Sequence, residues 1–508
     1  MRYTALAAFT LLLLASTAHA EWLEASSDHF VIYGDEDEKK VYEFAERLER
    51  FHAAMSHAFG AAQTKPSPSN RVRIFAVASP TTVRKVLGLN NRFVAGVYIP
   101  RAGSSVALIP RLKKASKQEL TGETILYHEY AHHFMRAVLT ARAYPRWFNE
   151  GFAEFFAGAK FNSDGSILLG APPMYRAAEL RYAREVPIRT LLSFDGGAGP
   201  SGPRFDSFYG QSWVLFHYLQ MEPARKGQLV KYQRLLASGQ QALEAAEGAF
   251  GDLNELDRNM GSYMARRKIN ASVIDAPALT IGPISVRKLR PGEAAMMPTI
   301  MESKVGVSTE EAQTLLPVAR KVASAYPDDA LVFAALAEAE FDAGNDDAAI
   351  AAADRAIAID PQQIDAHIQK GYALARKVES GGLPPESWKN VRAQFVKANK
   401  VENDHPIPLM HFYLTYTKAG VQPTKNSIDG LEWALALAPY DSSLRWLVAQ
   451  QMVSDERLED AVQTLGPLAY NPHPTEETEK ALALLKEIEA RMQSSAREQT
   501  SEESLGGE

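Results

Sequence analysis

The sequence predicts an α+β region followed by an all-α region. Three observations carry this. Over residues 21–270, short apolar runs with strand alternation are interspersed with segments of helical period. From 311 to 492 the periodic segments are helical and rich in alanine. Within that second region, residues 330–361 have the layout of a helix–turn–helix repeat about 34 residues long. A chain of 508 residues, 46% hydrophobic and 23% charged, suits a globular protein of several domains.

The first twenty residues read as an address. Arg2 precedes an apolar stretch from Ala5 to Ala15, and Ala18-His19-Ala20 is a small-x-small cleavage pattern. This predicts a secretory signal peptide over 1–20, an exported chain in a periplasm or outside the cell, and no integral membrane segment after its removal. With no cysteine, disulfides, thiolate metal sites and a cysteine nucleophile are excluded. A net charge of −6 argues against nucleic acid as a partner.

Next come the elements of the first region. Residues 30–33 and 71–78 read as strands; 94–99 and 105–109 read as a hairpin or adjacent strands, separated by Pro100–Ser104. Residues 39–59 read as a helix with Val41, Phe44, Leu48, Phe51 and Met55 on one face. Residues 271–310 contain several prolines and no clear period, which predicts a linker or connecting segment. In the repeat window, Phe333, Leu336, Ala337, Ala349, Ala353 and Ala356 hold the packing positions, Gly344 the turn and Pro361 the end. A second copy begins at Ile364 and is interrupted around 381–385. These segments resemble tetratricopeptide (TPR) repeats, which implies a protein partner. The polar tail, 493–508, reads as disordered.

The chemistry lies in His128-Glu129-Tyr130-Ala131-His132. On a helix, residues four apart share a face, so His128 and His132 can hold one Zn²⁺ at about 2.0–2.1 Å. Glu129 is offset from the pair and can act as general base without being a ligand. Tyr127, Ala131, Phe134 and Val138 form the opposite, core-facing stripe. Downstream, Pro145 opens a second helix in which Glu150 and Glu154 are one turn apart. Glu150 can complete a His₂Glu site, and Glu154 can accept the outer N–H of a ligating histidine.

The pair His-Glu-Tyr-Ala-His and Trp147-Phe-Asn-Glu-Gly-Phe-Ala-Glu154 resembles the gluzincin metallopeptidases, most closely the exported "peptidase MA-like" group, over residues 28–220. The loop between the motifs is one residue shorter here than in many members. The resemblance implies a thermolysin-like zincin domain and a peptide or protein substrate. The implied reaction is peptide hydrolysis through a zinc-activated water, with Glu129 as general base and Glu150 as third ligand. It also implies a substrate-pairing strand edge above the zinc. Tyr209, in Phe208-Tyr209-Gly210, resembles the family's downstream tyrosine region and is the candidate oxyanion donor. The alternative is a non-catalytic envelope protein whose repeats bind a partner and whose peptidase domain is vestigial. His133, about 100° further round the helix, reads as a hydrogen-bonded wall residue. The glycine-rich loop 197–202, a formal G-x-G-x-x-G match, reads as a flexible loop rather than a nucleotide site, and is a candidate lid.

Overall fold

The computed structural model describes residues 21–505 apart from 63, 90–95, 111–120, 140–142, 195–205 and 472–475. The signal-like segment 1–20 and the loop 197–202 lie outside the described residues.

The strands, in chain order, are β1 (Leu23–Ser26), β2 (Phe30–Gly34), β3 (Val72–Val77), β4 (Val97–Ile99), β5 (Val106–Pro110), β6 (Lys160–Phe161), β7 (Ile167–Leu169), β8 (Ser272–Ile274) and β9 (Ser285–Lys288). Six form a mixed sheet ordered β4-β5-β3-β2-β1-β9; β6-β7-β8 form a second, small one. The β2–β3 and β3–β5 pairs are parallel, while β4 and β5 make the antiparallel pair expected from the sequence. The strand β4 is at an edge of the sheet.

The helices of this region are α1 (Glu38–Phe59), α2 (Pro80–Val86), α3 (Gly122–Val138), α4 (Arg146–Ala157), α5 (Ala177–Tyr182), α6 (Ile188–Leu191), α7 (Phe208–Met221), α8 (Gln228–Ala237), α9 (Ala242–Phe250) and α10 (Leu253–Met264). Asp37 caps α1 by accepting from the Lys39 N–H, and Gly60 ends it in the left-handed conformation. The five apolar residues read as one face of α1 are all buried. They join β1–β3, α3, α4 and α7 in one large core.

The segment 271–310 is a packed connection rather than a free linker. It supplies β8 to the small sheet, β9 to the edge beside β1, and α11 (Pro291–Val305). Met297 and Met301 of α11 pack on Phe75 and Val77 under the main sheet, while Met296 packs in the adjoining helical cluster. A helix buried on two sides carries no single apolar stripe, so its period was invisible.

The remainder is all helical: α12 (Thr309–Ala325), α13 (Ala330–Asp342), α14 (Asp346–Ile359), α15 (Ile364–Glu379), α16 (Trp388–Val401), α17 (Pro406–Thr417), α18 (Lys425–Leu437), α19 (Ser442–Ser454), α20 (Leu458–Ala469) and α21 (Glu476–Leu505). Each helix packs on its successor, giving a TPR-like helical-repeat region. Ala337, Ala349, Ala353 and Ala356 are fully buried at the α13–α14 crossing, and Gly344 makes its turn at φ 86°. The polar tail, expected to lack structure, continues α21 to Leu505.

The two regions are docked through polar bonds and a tight apolar fit. The turn between β4 and β5 sits against the N-terminal ends of α17 and α19. The Ala102 N–H donates to Asp441 Oδ2 (2.7 Å), and Arg101 Nη2 donates to the Lys304 carbonyl (2.5 Å). A Cβ on Gly103, at φ 69°, would fall 2.6 Å from Ile407 Cγ1. Nearby, Ser69 donates through both N–H and Oγ to Glu402 (3.0 and 2.6 Å).

Candidate metal centre

Helix α3 is capped by Thr121, whose side chain accepts from the Thr124 N–H. Gly122 lets this first turn approach β5, since a Cβ there would lie 2.6 Å from Pro110 Cδ. Tyr127, Ala131 and Phe134 are buried as expected, but Val138, assigned to the same stripe, is exposed in the last turn. The helix α4 is nearly all core: Trp147, Phe148, Phe152 and Phe156 are buried, and so are Glu150 and Glu154. Gly151 fixes how closely α4 approaches α7, because a Cβ there would meet the Ser212 carbonyl oxygen at 2.5 Å.

These helices bring His128, His132 and Glu150 together. His128 Nε2 is 3.2 Å from His132 Nε2, and Glu150 Oε2 is 3.4 and 3.5 Å from those two nitrogens. Ligands at about 2.0–2.1 Å in tetrahedral directions stand about 3.3–3.4 Å apart. The three atoms therefore match three corners of a tetrahedron around one cation. They form the one group of three or more potential metal-holding side chains among the described residues.

The electrostatics agree. Burial pulls the His128 pKa down, but Glu150, Glu154 and Glu129 outweigh it and push it up to about 9. Burial raises the Glu150 pKa, yet His132 and His128 hold it well below the usual carboxylate range. Both shifts describe a place that favours positive charge.

Glu154 lies 3.5 Å from His128 Nδ1, on the ring's outer side, where the sequence placed it. It is held from behind by the Tyr175 hydroxyl (2.5 Å) and by Arg176 Nε and Nη2 (2.9 and 2.6 Å). Glu129 is half-buried beside His128. Tyr209 is in the first turn of α7, with its hydroxyl 3.5 Å from Arg146 Nη2 and its ring under the Arg176 guanidinium at 4.6 Å. Burial and the Glu150 carboxylate raise its pKa, so it stays protonated. His133 is a wall residue bonded to the Tyr98 hydroxyl at 2.7 Å. The sequence reading missed Tyr175, Arg176 and Arg146. The first two occupy a non-periodic stretch with no signal, whereas Arg146 stands directly after Pro145 and could have been found from its place one turn before Glu150.

By fold and site, the chain is an α+β domain with a His₂Glu cluster, docked to a TPR-like repeat region. Similar solved structures include a thermophilic TPR protein of Thermus thermophilus, at 17% identity over 38% of this chain and 98% of that one, TM-score 0.33. The pilF protein of Pseudomonas aeruginosa is similar at 14% identity over 43% of this chain and 93% of that one, TM-score 0.33. A tetratricopeptide repeat protein of Parabacteroides merdae is similar at 12% over 55% and 93%, TM-score 0.30. No protein-family model matches the chain, and no curated protein matches it.

Proposed function

We propose that this protein is an exported zinc-dependent metallopeptidase whose repeats brace the catalytic domain and contact a protein partner. The observation that carries this is the His128–His132–Glu150 triangle, whose edges of 3.2, 3.4 and 3.5 Å suit one tetrahedral cation. These three residues would hold zinc, which supplies Lewis-acid polarisation of a carbonyl and a lowered pKa for water.

The protein's own groups do the rest. Glu129 would take a proton from the attacking water onto its carboxylate and pass it to the leaving amine. Tyr209 keeps its proton and can donate it as a hydrogen bond to a developing oxyanion. Glu154 orients His128 through Nδ1. The edge strand β4 can pair with an extended peptide. Among the described residues no helix is long and apolar enough to cross a membrane, and export rests on the 1–20 segment.

The test is metal content and hydrolysis of an unstructured protein. The expected result is about one zinc per chain, retained in Glu129→Ala while hydrolysis is lost. A second reading, in which the repeats act as a protein-interaction scaffold without catalysis, is favoured by the run of helices α12–α21. Zinc-free protein, or hydrolysis no different between the wild type and Glu129→Ala, would overturn the peptidase reading and favour this one.

A further inference from the structure

Two guanidinium groups flank Tyr209, and they differ in what balances them. Arg176 is paired with Glu154 and Glu179, at 2.6 and 3.2 Å. Arg146 makes no ion pair among the described residues. It is half-buried, its Nε is enclosed without a hydrogen-bond partner, and its guanidinium lies over the Phe208 ring at 4.1 Å. Its polar contact is the long one from Nη2 to the Tyr209 oxygen, 3.5 Å. A cation partly withdrawn from water, with the Phe208 and Tyr209 rings beside it but no counter-charge, gains when an anion arrives to meet it.

Its position says where that anion would sit. Arg146 is four residues before Glu150 on α4, so the two side chains leave the same face one turn apart. Guanidinium is suited to a bidentate carboxylate. One turn of α4 rises about 5.4 Å, comparable with the about 3.5–7 Å spanned by one or two extended residues, so an anion held at Arg146 suits a chain end whose nearby bond is presented to the His₂Glu cluster.

We propose that Arg146 anchors the free α-carboxylate of a peptide, so that the site selects chain ends and releases residues from the C-terminus. This rests on the metallopeptidase reading and narrows its substrate to peptides with a free C-terminal acid. Arg146 is here a specificity-determining group; the oxyanion is left to Tyr209.

The experiment uses the full chain carrying Glu129→Ala, which binds without turnover, titrated calorimetrically with an N-acetylated tripeptide as free acid and as C-terminal amide. The acid is expected to bind about 10- to 100-fold more tightly than the amide, with the preference abolished by adding Arg146→Met and partly kept by Arg146→Lys. Equal binding of acid and amide, or a preference that survives Arg146→Met, overturns the proposal. Thermal unfolding of each variant shows that it is folded, and Arg146→Lys carries the test should Arg146→Met not fold. The titrations are run with and without added zinc, so the anchor is tested in either case. Failure to bind zinc removes the hydrolase reading. A zinc-bearing wild-type chain that cleaves doubly blocked peptides as fast as free acids removes only the anchor.

Discussion

His133, the neighbour of a candidate zinc ligand, packs its ring on Tyr440 of the repeat region with centroids 4.0 Å apart. Burial pushes the histidine down to about 3, so the ring is neutral beside the Tyr98 hydroxyl. Three residues on, Arg136 donates to the side chain of Asn471 at 3.0 Å. The helix that carries the histidine pair is therefore held on one side by the repeats. Truncating Tyr440 to Ala should lower the unfolding free energy by about 3 kcal/mol, the usual loss for a buried aromatic. It should also speed amide exchange along α3. Denaturant unfolding and hydrogen exchange measure the two; unchanged exchange would mean the repeats do not support the helix.

Glu154 should matter through His128. Replacing it with Gln keeps the shape and removes the charge that faces Nδ1. Zinc affinity should fall about 10- to 100-fold, as read by competition with a chromogenic chelator. Arg176→Met should lower it in the same direction, because Glu154 then loses its two shortest nitrogen partners, at 2.6 and 2.9 Å.

Two helical glycines offer a matched pair. At Gly151 a Cβ would strike the Ser212 carbonyl oxygen, a backbone atom that cannot swing aside, whereas at Gly261 nothing lies within 4 Å. Gly151→Ala is expected to destabilise by about 1–3 kcal/mol and to weaken zinc binding by pushing α7 from α4. Gly261→Ala should stabilise by about 0.5–1 kcal/mol through helix propensity. Thermal melts that move in the same direction would contradict this packing.

Stability should fall in acid through His217. Its Nε2 is 2.9 Å from the Gly170 carbonyl and its Nδ1 2.8 Å from the Tyr263 hydroxyl, an arrangement for a neutral ring. Burial lowers its pKa to about 4. The unfolded chain, with a histidine near 6.5, binds the extra proton first. The contribution is thus complete above about 6.5 and is lost as pH falls towards 4. The expected slope from this group is about 1 kcal/mol per pH unit in that window, and His217→Phe should flatten it in urea titrations.

Much of the site was legible because helical geometry turns a four-residue spacing into a shared face without knowledge of the rest of the fold. His128 and His132 share a face as that geometry anticipates; Glu150 reaches them from a second helix, which spacing alone does not place, and Glu154 falls behind His128. The spacing along α3 was less informative at its end, where Val138 lies in the last turn beyond the core. Strand β9 and helix α11 were illegible for a different reason. Their order comes from partners far off in the sequence, with Val286 paired to Ala25 and Met297 packed near Phe75. Tyr175 and Arg176 were missed likewise, since a short irregular turn has no period to betray its aim.

The Arg101–Ser104 turn, seated against the ends of α17 and α19, covers that part of the repeat surface from within the same chain. A segment joined to its receptor competes at an effective concentration of about millimolar. A soluble peptide for the same surface would have to outcompete that tether, and weak but genuine ligands would register as inert against the intact chain. Screens for what the repeats recognise would therefore begin from a chain whose Gly103 has been replaced by valine, the residue whose side chain Ile407 leaves no room to admit.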